Sequence, residues 1–378
     1  MLKTSLRLLL MLAVQVLAVQ ILAGCAPRPG PELLWDTAAP VPDARTVTVY
    51  VATTRQGEAD EPGIFTSGRA TRMSYARYVI SIPPDHQPGR IEWPHGKVNP
   101  QTDFATVSRQ ALDRAAFQSQ VSRRHGQPPE VGVFVHGYNT NFQEALYQLA
   151  QMTADAGVDG VPILFAWPSD GNVSSYIADK DAVTASRDQL VDLLVMLAGK
   201  PTRGPITVIG HSMGGWLTVE ATRQLRLTGQ DKVIDRLHVV LAAPDIDVDV
   251  FQAQMAVIGP LSPPMTILVS RDDVALSVSE KLASDRQRIG RLDVSDPRVE
   301  EAARKARVQV VDISGLDTFD QVRHSRFMAL AALYPKLSAD GSSGTGGGVR
   351  RTGAFVLTTV GTTLSSPFTL AGQIVGGR

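Results

Sequence analysis

Cysteine is almost absent from this chain: Cys25 is the only one in 378 residues. A lone cysteine excludes an internal disulfide framework and any Cys-rich metal site. No H-E-x-x-H run or comparable ligand spacing occurs either, so no metal and no cofactor is expected. An excess of charge of one sign is also lacking. Lys+Arg and Asp+Glu both total 37, for a net charge of zero. Electrostatic capture of nucleic acid needs a basic surface, so no nucleic-acid partner is expected. No internal repeat in the solenoid range interrupts the chain. What remains is an ordinary globular composition, 43% hydrophobic and 20% charged. That is enough apolar material for one large α/β body.

The two ends differ from this body. Lys3 and Arg7 precede an uncharged run from Leu8 to Ala23, broken only by Gln15 and Gln20. The run ends in Leu22-Ala23-Gly24-Cys25, which resembles the lipobox of bacterial lipoproteins. The resemblance implies that residues 1–25 are a signal peptide, cut just before Cys25, and that the cysteine thiol is acylated. A thiol consumed by lipid needs no disulfide partner, and two or more acyl chains suffice for stable anchoring. The expected location is therefore the bacterial envelope, with the membrane as a partner through Cys25. Ala26 stands where an Asp would imply inner-membrane retention, so outer-membrane placement is favoured in a Gram-negative cell. Five prolines between residues 26 and 42 read as a tether, assigned to 26–45. At the other end, residues 336–378 combine a Gly/Ser-rich linker with an uncharged tail, Ala354–Gly377.

The body, 46–335, alternates two patterns. Apolar, β-branched runs occur at Val47–Val51, Tyr78–Ile82, Val131–Val135, Pro162–Ala166, Ile206–Ile209, Leu237–Ala242, Met265–Val269 and Val308–Asp312. Helical spacing appears over 102–124, Phe142–Ala156, Ala178–Leu197 and Gly214–Leu227, with shorter pieces near Val250 and at Leu276–Leu282. Short continuous apolar strands alternating with helices predict a mostly parallel central sheet with helices on both faces.

One strand–turn–helix junction carries the chemistry. Gly210-His-Ser212-Met-Gly214 follows Ile206–Ile209 directly and opens the next helix. A G-x-S-x-G pattern in that context lifts a serine hydroxyl above the sheet edge, which makes Ser212 the candidate nucleophile. A second strand ends in His136-Gly137-Tyr138-Asn139, the place for a loop whose backbone N–H faces a developing oxyanion. The expected donors are the amides of Tyr138 and Met213. His136 precedes the nucleophile and reads as a brace for that loop. Of the seven histidines only His238 and His324 lie beyond Ser212. His238 falls inside a strand, which leaves His324 as the base. For the acid, Asp273 fits the turn after Met265–Val269 best, with Asp272, Asp245 and Asp247 as alternatives. Trp167, at the end of another strand, is a candidate wall of the substrate pocket or a core tryptophan.

Taken together, Val49-Tyr-Val-Ala-Thr-Thr-Arg55, Val133-Phe-Val-His-Gly-Tyr-Asn139, Phe165-Ala-Trp-Pro-Ser169, Gly210-His-Ser-Met-Gly214 and Leu241-Ala-Ala-Pro-Asp-Ile-Asp247 resemble the DUF900 branch of the α/β-hydrolase superfamily. The resemblance spans most of residues 46–335 and implies the α/β-hydrolase fold and a Ser-Asp-His triad, without a defined substrate. The expected activity is hydrolysis of a small-molecule or lipid ester through an acyl-enzyme. An amidase or peptidase could use the same triad, and a catalytically silent envelope-binding protein is the non-enzyme alternative.

The lipobox makes a direct prediction. Cys25→Ser blocks lipid-dependent processing, so the protein migrates as the uncleaved precursor and its Triton X-114 partitioning changes. Unchanged migration and partitioning would count against lipidation.

Overall fold

The computed structural model describes residues 28–331 apart from 36–37, 40, 43, 123–129, 158–159, 200–203, 317, 319 and 321. The expected signal peptide, Cys25 and the segment from 336 onward lie outside the described residues.

Among the described residues, nine strands form one sheet: β1 (Arg45–Gly57), β2 (Phe65–Ile82), β3 (Ala105–Leu112), β4 (Val131–Val135), β5 (Val161–Ala166), β6 (Ile206–His211), β7 (Leu237–Ala242), β8 (Thr266–Val269) and β9 (Gln309–Asp312). Their order is β3-β2-β1-β5-β4-β6-β7-β8-β9. β2 is antiparallel to both β1 and β3, while every other neighbouring pair is parallel. This is the α/β-hydrolase fold, a mostly parallel sheet with helices on both faces.

The unbroken apolar runs have a simple cause. Val131, Val133 and Val135 of β4 point into one core while Phe134 points into the other. In β5, Ile163 and Phe165 face the first core, and Leu164 and Ala166 the second. A strand covered on both sides must be apolar at every position. The helices Arg187–Ala198, Met213–Leu227 and Val248–Ile258 supply the first layer, and Phe142–Ala156 packs on the opposite face. Phe142–Ala156 begins with a reciprocal cap, Asn141 and Glu144 each accepting from the other's backbone N–H at 2.9 Å. It ends at Gly157 in the left-handed region, φ 62°. Among the described residues no helix is long and apolar enough to cross a membrane.

Three expectations change and one helix is added. The stretch 102–124, read as one helix, is strand β3 followed by the helix Arg114–Gln120. Pairing with β2 overrides its weak helical periodicity, and Asp113 restarts the chain by accepting from Ala116 N at 2.7 Å. The helix expected over 178–197 is two helices, Tyr176–Ala185 and Arg187–Ala198, divided at Ser186. The buried Ser186 hydroxyl bonds Ala182 O at 2.9 Å and Thr54 Oγ1 at 2.8 Å, pinning the break to β1. The added helix is Pro297–Ala306, which buries only Ala303 and carries a charge on half of its residues, so it lacks the broad apolar face that marks a helix in sequence. Finally, part of the assigned tether is docked. Leu33 and Leu34, in the short helix Glu32–Trp35, are buried in the second core, and Ala38 N donates to Thr106 O at 2.9 Å.

The strand order changes direction around β4: β5 lies on one side of it and β6 on the other. Such a switch opens a crevice at the carboxyl ends of the strands, where open α/β sheets hold their ligands.

Candidate functional site

Ser212 sits in that crevice, between the end of β6 and the helix Met213–Leu227, with φ 54° and ψ −119°. A non-glycine residue in this region costs about 1–3 kcal/mol and persists only where its surroundings over-determine it. Here Ser212 N donates to Ala242 O at 2.9 Å, and Ser212 O accepts from Gly215 N at 2.9 Å and Asp245 N at 3.1 Å. The start of the helix is pressed against the end of β4. A Cβ on Gly214 would lie 2.3 Å from His136 O and 2.4 Å from Val135 O, both rigid backbone atoms. A Cβ on Gly137 would come 3.0 Å from Ser212 Cβ. The loop after β4 therefore lies directly on the serine turn.

His136 is fully buried and stacks on Trp167, with ring centroids 4.9 Å apart and planes at 10°. Its Nε2 lies 3.0 Å from Trp167 O, and Trp167 Nε1 donates to His136 O at 2.7 Å. Burial, with Arg55 adding, lowers the His136 pKa to about 3, opposed by the carbonyls of Gly137 and Trp167 that lie 2.9 Å and 3.0 Å from its two ring nitrogens, and the ring braces the loop. Trp167, read as a possible pocket wall, is instead enclosed in the core with no solvent access. Its indole is committed to His136 and cannot line an open pocket. Beyond His136, no acceptor for the Tyr138 or Met213 backbone N–H is found among the described residues. The Tyr138 hydroxyl donates to Val173 O, and its ring meets Tyr176 edge-on at 5.2 Å.

His324 approaches from the far side. Its Nδ1 lies 2.7 Å from Asp273 Oδ2, and its ring centroid is 4.6 Å from that of His211, the residue before Ser212. His211 Nε2 also lies 3.2 Å from His324 O. Asp320 Oδ2 accepts from the amides of His324 and Ser325, both at 2.9 Å, which fixes the loop. Burial is the largest influence on His324 and acts to lower its pKa. The Asp273 hydrogen bond and charge, helped by Asp245 and Asp320, outweigh it, so the net shift is upward. His211 is driven the other way, well below the ordinary value, by burial and then by His324. Among the described residues, none hydrogen-bonds the Ser212 hydroxyl. Contacts of this kind are often long before substrate binds.

The four acids separate cleanly. Asp273 is fully buried, with Oδ2 on His324 and Oδ1 accepting from Leu276 N at 2.9 Å. Asp272 turns away to Arg326 and Arg323, whose hydrogen bonds hold its carboxyl far below the usual range. Asp245 accepts from Tyr176 Oη at 2.9 Å and Ser279 Oγ at 2.6 Å, and Arg288 Nε lies 3.2 Å from it. Asp247 caps the helix Val248–Ile258. Among the described residues no group of three or more His, Cys, Asp or Glu is placed to hold a metal ion.

Sequence reasoning missed a buried support beneath the loop after β4. Asp179 is fully buried and accepts from Ser169 Oγ at 2.6 Å, Asp170 N at 2.9 Å and Asn139 N at 3.3 Å. Burial raises its pKa, opposed by those three hydrogen bonds. Arg55, also buried, donates to Thr140 O at 3.1 Å, and burial lowers its pKa to about 10 against the attraction of Asp179. It remains charged at neutral pH. Arg55 was visible as the one charge ending the β-branched run Val47–Arg55, but nothing marked Asp179.

Gly214→Ala should cost at least the ~1–3 kcal/mol typical of overpacking, because the atoms it meets are backbone. Thermal denaturation would show this as a lowered Tm. An unchanged Tm would mean that β4 and the serine turn are not in contact.

A search of curated proteins finds no match. Among solved structures, the chain is similar to EstE1, a thermophilic carboxylesterase cloned from a metagenomic library. The identity is 12% and the TM-score 0.33, over 82% of this chain and 89% of that one. It is similar to the esterase Est22 at 13% identity and TM-score 0.34, over 87% and 85%. A fungal esterase from Rhizomucor miehei matches at 12% identity and TM-score 0.31, over 82% and 88%. Residues 112–340 match the family model of an alpha/beta hydrolase of unknown function, DUF900. That match takes in more than half of the chain, including Ser212, Asp273 and His324, and the chain belongs to this alpha/beta hydrolase family.

Proposed function

We propose that residues 46–335 form a serine hydrolase acting on carboxylic ester bonds, held in the bacterial envelope by an acylated Cys25. The observation that carries the reading is the 2.7 Å contact of Asp273 with His324 Nδ1, beside a serine held at φ 54° on the sheet edge. In this reading the Asp273 carboxylate keeps the proton of His324 on Nδ1, which leaves Nε2 as the base. As the Ser212 hydroxyl attacks the ester carbonyl, its proton passes to Nε2, and Asp273 stabilises the imidazolium. The amides of Tyr138 and Met213 supply the two donors to the tetrahedral oxygen, and the unfilled hydrogen-bonding capacity of both supports this. His324 then returns the proton to the leaving alkoxide. Water repeats the sequence to release the acid and free Ser212. A panel of esters, thioesters and amides tests the bond class; amide turnover exceeding ester turnover would overturn it.

If Ser212 and His324 act as a unit, either change to Ala removes the same step. Each single loss should approach a million-fold, as in well-studied Ser-His-Asp hydrolases, and the double variant should be little worse. Ser212→Ala should lose all fluorophosphonate labelling. Robust labelling of folded Ser212→Ala would place the nucleophile elsewhere.

The pH profile tests the acid. His324 must be neutral to accept a proton, so kcat/KM falls as pH drops through its pKa. Because that pKa is raised, the midpoint should lie above the ordinary histidine value of about 6.5. Asp273→Asn should lower both the rate and the midpoint, whereas Asp245→Ala and Asp247→Ala should cost far less rate. A midpoint unmoved in Asp273→Asn would assign the acid elsewhere.

A further inference from the structure

The described chain begins beside the candidate site. The guanidinium of Arg28 donates to Asn139 O and Asn139 Oδ1, both at 2.7 Å, and to Glu144 Oε1 at 2.8 Å, with a further bond to Gly171 O. Asn141 Nδ2 donates to Pro29 O at 2.9 Å. Asn139 and Asn141 belong to the loop that carries Tyr138, Glu144 to the first turn of the helix Phe142–Ala156, and Gly171 to the loop after β5. Leu34, six residues on, is buried in the core, so residues 28–34 are anchored rather than free to swing. Only Ala26 and Pro27 separate Arg28 from Cys25. Three residues of fully extended chain span at most about 11 Å. An acyl group on Cys25 is therefore confined near the rim of the crevice.

That rim carries exposed apolar side chains. Val173 is 76% exposed and Ile177 78%. Both belong to the segment that leads from Gly171 into the helix Tyr176–Ala185. On the helix that starts beside Asp273, Val274, Val278 and Leu282 fall at i, i+4 and i+8, one exposed stripe at 44%, 52% and 66%. The two pieces are joined under the surface by Tyr176 Oη and Ser279 Oγ, 3.0 Å apart. Val274 N donates to Val322 O at 3.0 Å, which adds exposed Val322 next to His324. Single exposed apolar side chains are normal on a surface, whereas several gathered on two hydrogen-bonded segments beside one crevice mark an interaction site.

The geometry points to this rim as a bilayer-docking surface: the short lead from Cys25 holds Val173, Ile177, Val278 and Leu282 against the lipid headgroup layer, with the Ser212 crevice facing the membrane. The inference rests on the acylation of Cys25 proposed above. Two acyl chains near the rim bring the membrane there, and each apolar side chain inserted adds to the binding. Substrate would then be drawn from the bilayer rather than from bulk solution.

The test uses full-length, processed protein with Ser212→Ala, so that lipid is not consumed, on vesicles of phosphatidylethanolamine with phosphatidylglycerol. A single added cysteine at Ile177, Val278 or Leu227 carries an environment-sensitive nitrobenzoxadiazole, since an acylated Cys25 cannot react with the label. Leu227 is the control: it is 56% exposed at the far end of the helix that starts at Ser212. Blue-shifted emission and severalfold stronger quenching by headgroup nitroxide lipids at 177 and 278, but not at 227, would support docking. Probes at 177 and 278 as wet as the one at 227, on protein whose N-terminal peptide mass proves acylation, would overturn docking and leave the anchor standing. A free Cys25 thiol in that peptide would overturn both. The same shift in concentrated protein without vesicles would assign the rim to a second copy of the chain instead.

Discussion

Backbone is pressed on backbone where the helix Met213–Leu227 meets the end of β4. The space between Gly214 and the carbonyls of Val135 and His136 is smaller than a methyl group. β4 and β6 are hydrogen-bonded neighbours, paired from Val131↔Ile206 to Val135↔Gly210, so their carboxyl ends arrive at one level. Only with no side chain at position 214 can the helix start directly behind Ser212 and still clear the neighbouring strand. This contact lays the loop after β4 against the serine turn, and it holds Ser212 in its strained conformation. Everything else at the site is built around that junction.

Two kinds of support hold the surrounding loops. On the β4 side the support is buried and polar: His136 against Trp167, and Asp179 collecting two amides and a hydroxyl under Asn139. A buried carboxylate is costly unless it is well satisfied, and satisfying Asp179 ties three separate loop atoms to one point. On the β8 and β9 side the support is ionic and nearer the surface. Asp272 pairs with Arg323 and Arg326, while Asp320 accepts the amides around His324. Asp272 and Asp273, adjacent in sequence, thereby do different work. One fastens the loop that carries His324, and the other touches the imidazole.

The same face gathers the start of the described chain. Arg28 reaches Asn139 and Glu144 across more than a hundred residues of sequence. Residues read as a spacer thus become part of the loop scaffold, and the reach from Cys25 to the body shrinks to a few residues. The apolar border at Val173, Ile177 and the Val274–Leu282 stripe has its meaning in that setting. Any one of these residues alone would be an unremarkable exposed side chain.

Much of the architecture was legible in the sequence because it depends on local pattern. Apolar runs buried on two faces announce parallel strands, and G-x-S-x-G between a strand and a helix announces the serine turn. Order along the chain narrowed the histidine to His324. Elements whose identity depends on a neighbour were not legible: β3, which is a strand because β2 pairs with it, and the break at Ser186, which is pinned by Thr54. The role of Trp167 was open until its indole was seen bonded to His136, and Asp179 gave no sign at all, since a lone acid in a helix is ordinarily solvated. The sequence by itself determined the fold class, the serine turn and the set of candidate acids. Only the tertiary structure decided which acid faces His324 and where the chain's beginning lies, because both depend on contacts between segments dozens of residues apart.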